Sequence, residues 1–137
     1  MFSEFYSGSV SSSKLNSILI IEKDDIQRKG LAIAMMDYFN EMHLSDNPSD
    51  ANELLKEKHF SFIITDYMSH SSCNKDFIKN VKALNPDSVV IVISSDCDVE
   101  LRNELYSAGV NQILEKPYDV NQLLNEVKYF TKKHHIK

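Results

Sequence analysis

VVIVISSD, residues 89–96, sets five consecutive aliphatics against two hydroxyls and an acid. Five is far short of the roughly 20 apolar residues that cross a bilayer, and the run has no polar face to show to water. Val89–Ile93 is the most strongly strand-like segment of the chain, ended by Ser94, Ser95 and Asp96. Similar runs lie on either side. Ile18–Ile21 is too short and too uniformly apolar for a surface helix and has the makeup of a buried parallel strand. Glu41–Leu44, Phe60–Thr65 (ended by Asp66) and Gln112–Glu115 complete a set of five.

Helical patterns fill the intervals. Gln27–Asn40 carries Leu31, Met35 and Phe39 at four-residue steps behind Asp24 and Asp25, acids placed where a helix begins. Ser45–Ser49, with Pro48, reads as a turn, and Asp50–Lys58 as a second helix capped by Ser49 or Asp50. Asp76–Leu84 gathers Phe77, Ile78 and Val81 on one side before Asn85 and Pro86, Val99–Ser107 stops at Gly109, and Val120–Lys132 is a closing amphipathic helix. Five strands alternating with five helices predict a doubly wound, parallel five-stranded sheet, because right-handed crossovers put helices on both faces.

The composition agrees with one compact domain. The 137 residues are 42% apolar and 26% charged, which excludes a disordered tail and a disulfide miniprotein. Fifteen Lys and Arg against twenty Asp and Glu leave a net charge of −5, which argues against general nucleic-acid binding. With no membrane span and no basic leader ahead of Glu4, the expected setting is the cytoplasm. Residues 1–16 are Ser-rich and predict a flexible arm, 17–132 the domain, and 133–137 a basic tail in which His134 and His135, pointing about 100° apart on a helix, make no metal pair. Cys73 and Cys97, 24 residues apart, read as reduced loop or packing thiols.

In a parallel sheet of this kind, function gathers at the carboxyl ends of the strands. The residues placed there are Glu22 and Lys23, Asp66, Ser94, and Lys116 with Pro117. Asp66 can act as a nucleophile toward phosphorus, Ser94 can donate to a phosphoryl oxygen and Lys116 can pair with another. Pro117 is a candidate for a cis peptide that aims Lys116 inward.

These residues resemble the receiver domain of two-component response regulators. The likeness runs from about Ser17 to about Phe130 and is carried by the strand ending in Asp66, by Val89–Ser95 and by Ala108–Asp119, AGVNQILEKPYD. The intervals also fit: 28 residues from Asp66 to Ser94 and 22 from Ser94 to Lys116. The resemblance implies a flavodoxin-like (βα)5 fold, Asp66 as phosphoacceptor, and Ser94 and Lys116 as its phosphoryl-binding partners. It further implies a histidine kinase or phosphotransfer protein as donor, and a downstream protein met through the face of the fourth helix, fifth strand and fifth helix. Such a domain at most catalyses its own phosphorylation and dephosphorylation. Asn74 stands where the family usually has a glycine, and is expected in a left-handed turn. The chain ends soon after Phe130, so output is expected to pass through a partner protein.

The pattern breaks at the pocket. The family's first strand ends in two acids that help bind magnesium; here the pair is Glu22 and Lys23, a register fixed by Arg28 and the helix start. Magnesium needs oxygen ligands, which an ammonium does not supply. An ammonium about 4 Å from Asp66 gains roughly 4 kcal/mol of gross Coulomb energy at an effective dielectric of about 20, before desolvation. Two readings of Lys23 follow: it replaces the metal's charge, or it snorkels to solvent and leaves a weak site made by Glu22, Asp66 and the Met68 carbonyl. Either way magnesium binding is weakened. Ile113 fills the switch position usually held by an aromatic residue, and Ser69-His70 replaces the usual Met-Pro. An alternative function is therefore a phosphorylation-independent interaction module in which Lys23 holds Asp66 in a fixed state.

Overall fold

The computed structural model describes residues 4–7, 15–67 and 72–134. Its strands are β1 (Glu4–Ser7), β2 (Leu15–Ile21), β3 (Phe39–Ser45), β4 (Phe62–Tyr67), β5 (Val89–Ser94) and β6 (Gln112–Glu115). The helices are α1 (Asp25–Met35), α2 (Pro48–Glu57), α3 (Ser72–Leu84), α4 (Val99–Ala108) and α5 (Val120–His134). One sheet in the order β1-β3-β2-β4-β5-β6 holds all six strands. The five from β2 to β6 are mutually parallel, as the alternation of elements predicts.

Both sheet faces are covered, which explains why the strands lack polar alternation. On one face Ile18, Ile20, Phe62, Ile64, Ile91 and Ile93 pack against Leu31 and Met35 of α1 and Leu123, Val127 and Phe130 of α5. On the other, Leu19, Ile21, Ile63, Val90, Val92 and Ile113 meet Leu55 of α2, Phe77, Ile78 and Val81 of α3, and Leu105 of α4. Every residue of β5 is buried. At the end of α4, Gly109 takes φ +113°, and a Cβ there would lie 2.6 Å from Cγ of Lys82, so both backbone and space select glycine. Among the described residues no helix is long and apolar enough to cross a membrane.

Several boundaries differ from the sequence expectation. Glu4–Ser7, assigned to a flexible arm, forms β1 and pairs antiparallel with β3, Glu4 opposite Leu44 and Ser7 opposite Glu41. The β3 edge offers a row of unpaired N–H and C=O groups, and a short backbone segment satisfies them whatever its side chains. Phe39 belongs to β3 and not to α1; it is buried in either structure, so the four-residue spacing did not separate the two. Helix α2 starts at Pro48, capped by Asn47, whose Oδ1 accepts the Asp50 N–H at 2.8 Å. Proline fits the first helical position because its missing N–H has no partner there. Helix α3 begins at Ser72, which puts Asn74 in a helix and not in a left-handed turn; nothing between Ser72 and Asp76 is a helix breaker. Helix α5 continues to His134, two residues into the stretch expected as a tail. Met68, Ser69 and His70 lie outside the described residues.

Candidate functional site

The carboxyl ends of β2, β4, β5 and β6 surround a cleft of about 510 Å³ lined by Glu22, Lys23, Asp24, Asp25, Gln27, Asp66, Ser95 and Lys116. Its inner wall is Glu22, only 3% exposed although charged. The backbone fixes it there: Glu22 N–H donates to the Ser45 carbonyl at 3.0 Å, and Arg28 Nη1 donates to the Glu22 carbonyl at 2.9 Å. Arg28 thus reaches back from α1 to hold the strand end, a role its six-residue spacing from Glu22 foreshadows. Asp24 caps α1 by accepting the Gln27 N–H at 2.9 Å, and Asp25 pairs with Arg28. With Asp24 engaged as a cap and Ile21 buried at the strand end, the register that places Glu22 and Lys23 after β2 is the one the fold adopts.

Both carboxylate oxygens of Glu22 are engaged. Oε1 accepts from Lys116 Nζ at 3.2 Å and Oε2 from the Asp24 N–H at 3.0 Å. Lys116 is aimed by its own backbone, whose N–H donates to the Ser94 carbonyl at 2.8 Å, and the Lys116–Pro117 peptide is cis. Tyr118 follows, half-buried beside Glu22; burial and then the Glu22 charge push its phenol pKa up.

Asp66 is the penultimate residue of β4, one position inside the strand end expected from the sequence. Its Oδ2 accepts the backbone N–H of Lys23 at 3.2 Å. Burial pushes its pKa from 3.8 to about 6, the Glu22 charge adds to the rise, and the Lys23 N–H and Lys116 oppose it. Lys23 therefore meets Asp66 through its main chain. Its side chain is exposed and forms no ion pair among the described residues, so the expected close ammonium–carboxylate contact is not how Asp66 is held.

Ser94 is fully buried, and its Oγ accepts the Asp96 N–H at 3.3 Å. The next residue, Ser95, is exposed and lines the cleft, a neighbour that the sequence reading passed over. Ile113 sits opposite Val92 and is buried against the α2–α3–α4 side of the sheet. On the face of α4, β6 and α5, Tyr106 Oη donates to Gln112 Oε1 at 2.9 Å, Gln112 Nε2 to Glu126 Oε2 at 3.0 Å, and Arg102 pairs with Glu115 at 2.8 Å.

Magnesium calls for a near-octahedral shell of oxygens, usually including free carboxylates. Among the described residues each Glu22 oxygen already accepts one hydrogen bond, Asp66 accepts the Lys23 N–H, and no cluster of three His, Cys, Asp or Glu is suited to a metal. The Met68 carbonyl, expected as a third ligand, lies outside the described residues.

Fold and site define a doubly wound α/β domain with an acid, a lysine and a serine converging at the carboxyl edge of its sheet. Residues 18–128 match the response regulator receiver domain, and the chain belongs to that family. Among curated proteins it is similar to the response regulator receiver protein CpdR of Brucella abortus (strain 2308), 25% identical over 114 residues that cover 83% of this chain and 95% of that one. Among solved structures it superposes on a response regulator from Thermotoga maritima with a TM-score of 0.76 at 21% identity, covering 86% of this chain and 98% of the other. It also superposes on a response regulator from Burkholderia pseudomallei that holds a phosphorylated aspartic acid, a calcium ion and citrate, with a TM-score of 0.71 at 20% identity, covering 83% and 71%. At these identities the two structures establish the flavodoxin-like receiver fold.

Proposed function

We propose that this receiver domain accepts a phosphoryl group on Asp66 from a histidine kinase or phosphotransfer protein and passes the signal to a protein partner. The observation that carries the reading is the placement of Asp66, half-buried at the end of β4, in one cleft with Lys116 and the end of β5. Asp66 is the nucleophile, Lys116 exchanges Glu22 for a phosphoryl oxygen, and the hydroxyl of Ser94, which accepts the Asp96 N–H, turns toward the group. The chemistry seen in the Burkholderia protein, a phosphorylated aspartic acid, is the one brought to Asp66 here. Beyond this self-modification no reaction on another substrate is proposed.

The α4–β6–α5 face is the proposed output surface. Arg102–Glu115 and the Tyr106–Gln112–Glu126 chain tie its three elements, so a shift of the β5 end moves them together. The alternative, Lys23 clamping Asp66 in a fixed state, loses support because the contact is through the backbone and leaves the ammonium uncommitted. Magnesium is proposed to bind more weakly than millimolar, and amide shifts at Glu22 and Asp66 that saturate below that range would contradict this. Intact mass after incubation with acetyl phosphate tests the acceptor. One phosphoryl mass on the native chain and none on Asp66→Asn is expected; equal labelling of both overturns the assignment.

A further inference from the structure

Lys23 stands out among the charged groups of the cleft. Glu22 is matched by Lys116, Asp25 by Arg28, and Asp24 by the first turn of α1 that it caps. Lys23 lines the same space, its side chain is exposed, and it forms no ion pair among the described residues. Its backbone N–H, 3.2 Å from Asp66 Oδ2, anchors the residue beside the acceptor, and a flexible four-carbon stem carries the charge from there. Exposed Ser95 adds a hydroxyl to the cleft lining.

We infer that this cleft takes up the phosphoryl dianion of an acyl phosphate without a divalent ion, with Lys23 supplying the cation on the open side and Lys116 on the inner side. The inference rests on Asp66 being the acceptor. In the step, a carboxylate oxygen of Asp66 attacks phosphorus and forms a new P–O bond. The bond from phosphorus to the acyl oxygen breaks, the carboxylate of the donor leaves with the electron pair, and no proton changes place. Charge on the equatorial phosphoryl oxygens is what a cation stabilises in such a transfer, and two ammonium groups can meet that need beside carboxylates that already accept hydrogen bonds. The neighbouring acids Glu22 and Asp25 are matched by Lys116 and Arg28, which lowers the repulsion an incoming dianion meets.

The test is a time course of intact mass on the full chain with acetyl phosphate, in magnesium chloride and in EDTA, for wild type, Lys23→Ala and Lys23→Asp. Circular dichroism verifies that each variant is folded. The wild type should label in EDTA within about threefold of its rate in magnesium, Lys23→Ala should slow about tenfold in EDTA, and Lys23→Asp should label only with magnesium. Wild-type labelling that requires magnesium, or a Lys23→Ala rate in EDTA equal to wild type, overturns the inference and leaves Asp66 as acceptor intact. No labelling of the folded wild type in either condition overturns the acceptor reading itself.

Discussion

Strand β5 has a serine at each end, and the two ends use the same chemical groups in opposite ways. At the amino end Ser88 Oγ donates to the Phe60 carbonyl. Lys82 Nζ donates to the Ser88 carbonyl and, at 3.1 Å, to Asn111 Oδ1, which also accepts the Val90 N–H at 2.8 Å. Each group there closes a gap between chain segments; burial pushes the Lys82 pKa down and the Asp87 charge opposes the shift. At the carboxyl end Lys116 faces a buried carboxylate, a second carboxylate is lifted toward neutral pH, and Ser94 has one weak contact. Hydrogen bonds closed on backbone carbonyls and amides fix a fold, whereas charges held close together but open to a cleft remain available for an incoming ion.

Removing each lysine in turn breaks the comparison most sharply. Lys116→Met leaves Glu22 buried and without its cation, a change expected to cost about 2–3 kcal/mol. Lys82→Met keeps the stem beneath Gly109 and takes one donor from the Ser88 carbonyl and from Asn111 Oδ1, so about 1 kcal/mol is expected. Urea unfolding of the two variants measures both, and equal losses would mean that the carboxyl-end pair stores no more than the amino-end tie.

The next effect is smaller and depends on pH. Folding raises the Asp66 pKa from 3.8 to about 6, so the folded chain holds that proton more tightly than the unfolded chain. Wild-type stability therefore falls as pH rises from about 4 to about 6, and Asp66→Asn escapes the loss. The variant should be more stable by on the order of 1 kcal/mol at pH 7, after allowance for the group's partial exposure, and equal to wild type below pH 4. Denaturation curves across that range test the sign; a variant less stable at pH 7 would remove the case for a strained acceptor. The smallest effect is on metal response. Lys23→Asp adds a carboxylate beside Glu22 and Asp66, lowers metal-free stability by like-charge repulsion, and should gain a few tenths of a kcal/mol more than wild type on adding magnesium. Thermal melts with and without magnesium check it, and identical shifts would mean that position 23 does not face the metal site.

The sequence made the parallel order of five strands legible because uniformly aliphatic runs need two covered faces, and it placed Glu22, Asp66, Ser94 and Lys116 at one edge through strand-end positions alone. Its failures have physical causes. Phe39 satisfies helical and strand burial equally, and Glu4–Ser7 is held by a neighbour's backbone groups that side-chain pattern does not report. Of the two readings of Lys23, its exposed side chain matches the one that turns the ammonium to solvent; residue order gives adjacency to Asp66, but only the fold shows that the contact falls to the main chain.

Asp66 as acceptor is tested most directly by reducing the acetyl phosphate-treated chain with borohydride, which converts an aspartyl phosphate to homoserine, and sequencing its peptides by mass spectrometry. Homoserine at position 66 and at no other acid of the cleft is the predicted result. Homoserine at Asp24 or Asp25 in its place, with Asp66 unchanged, would contradict it.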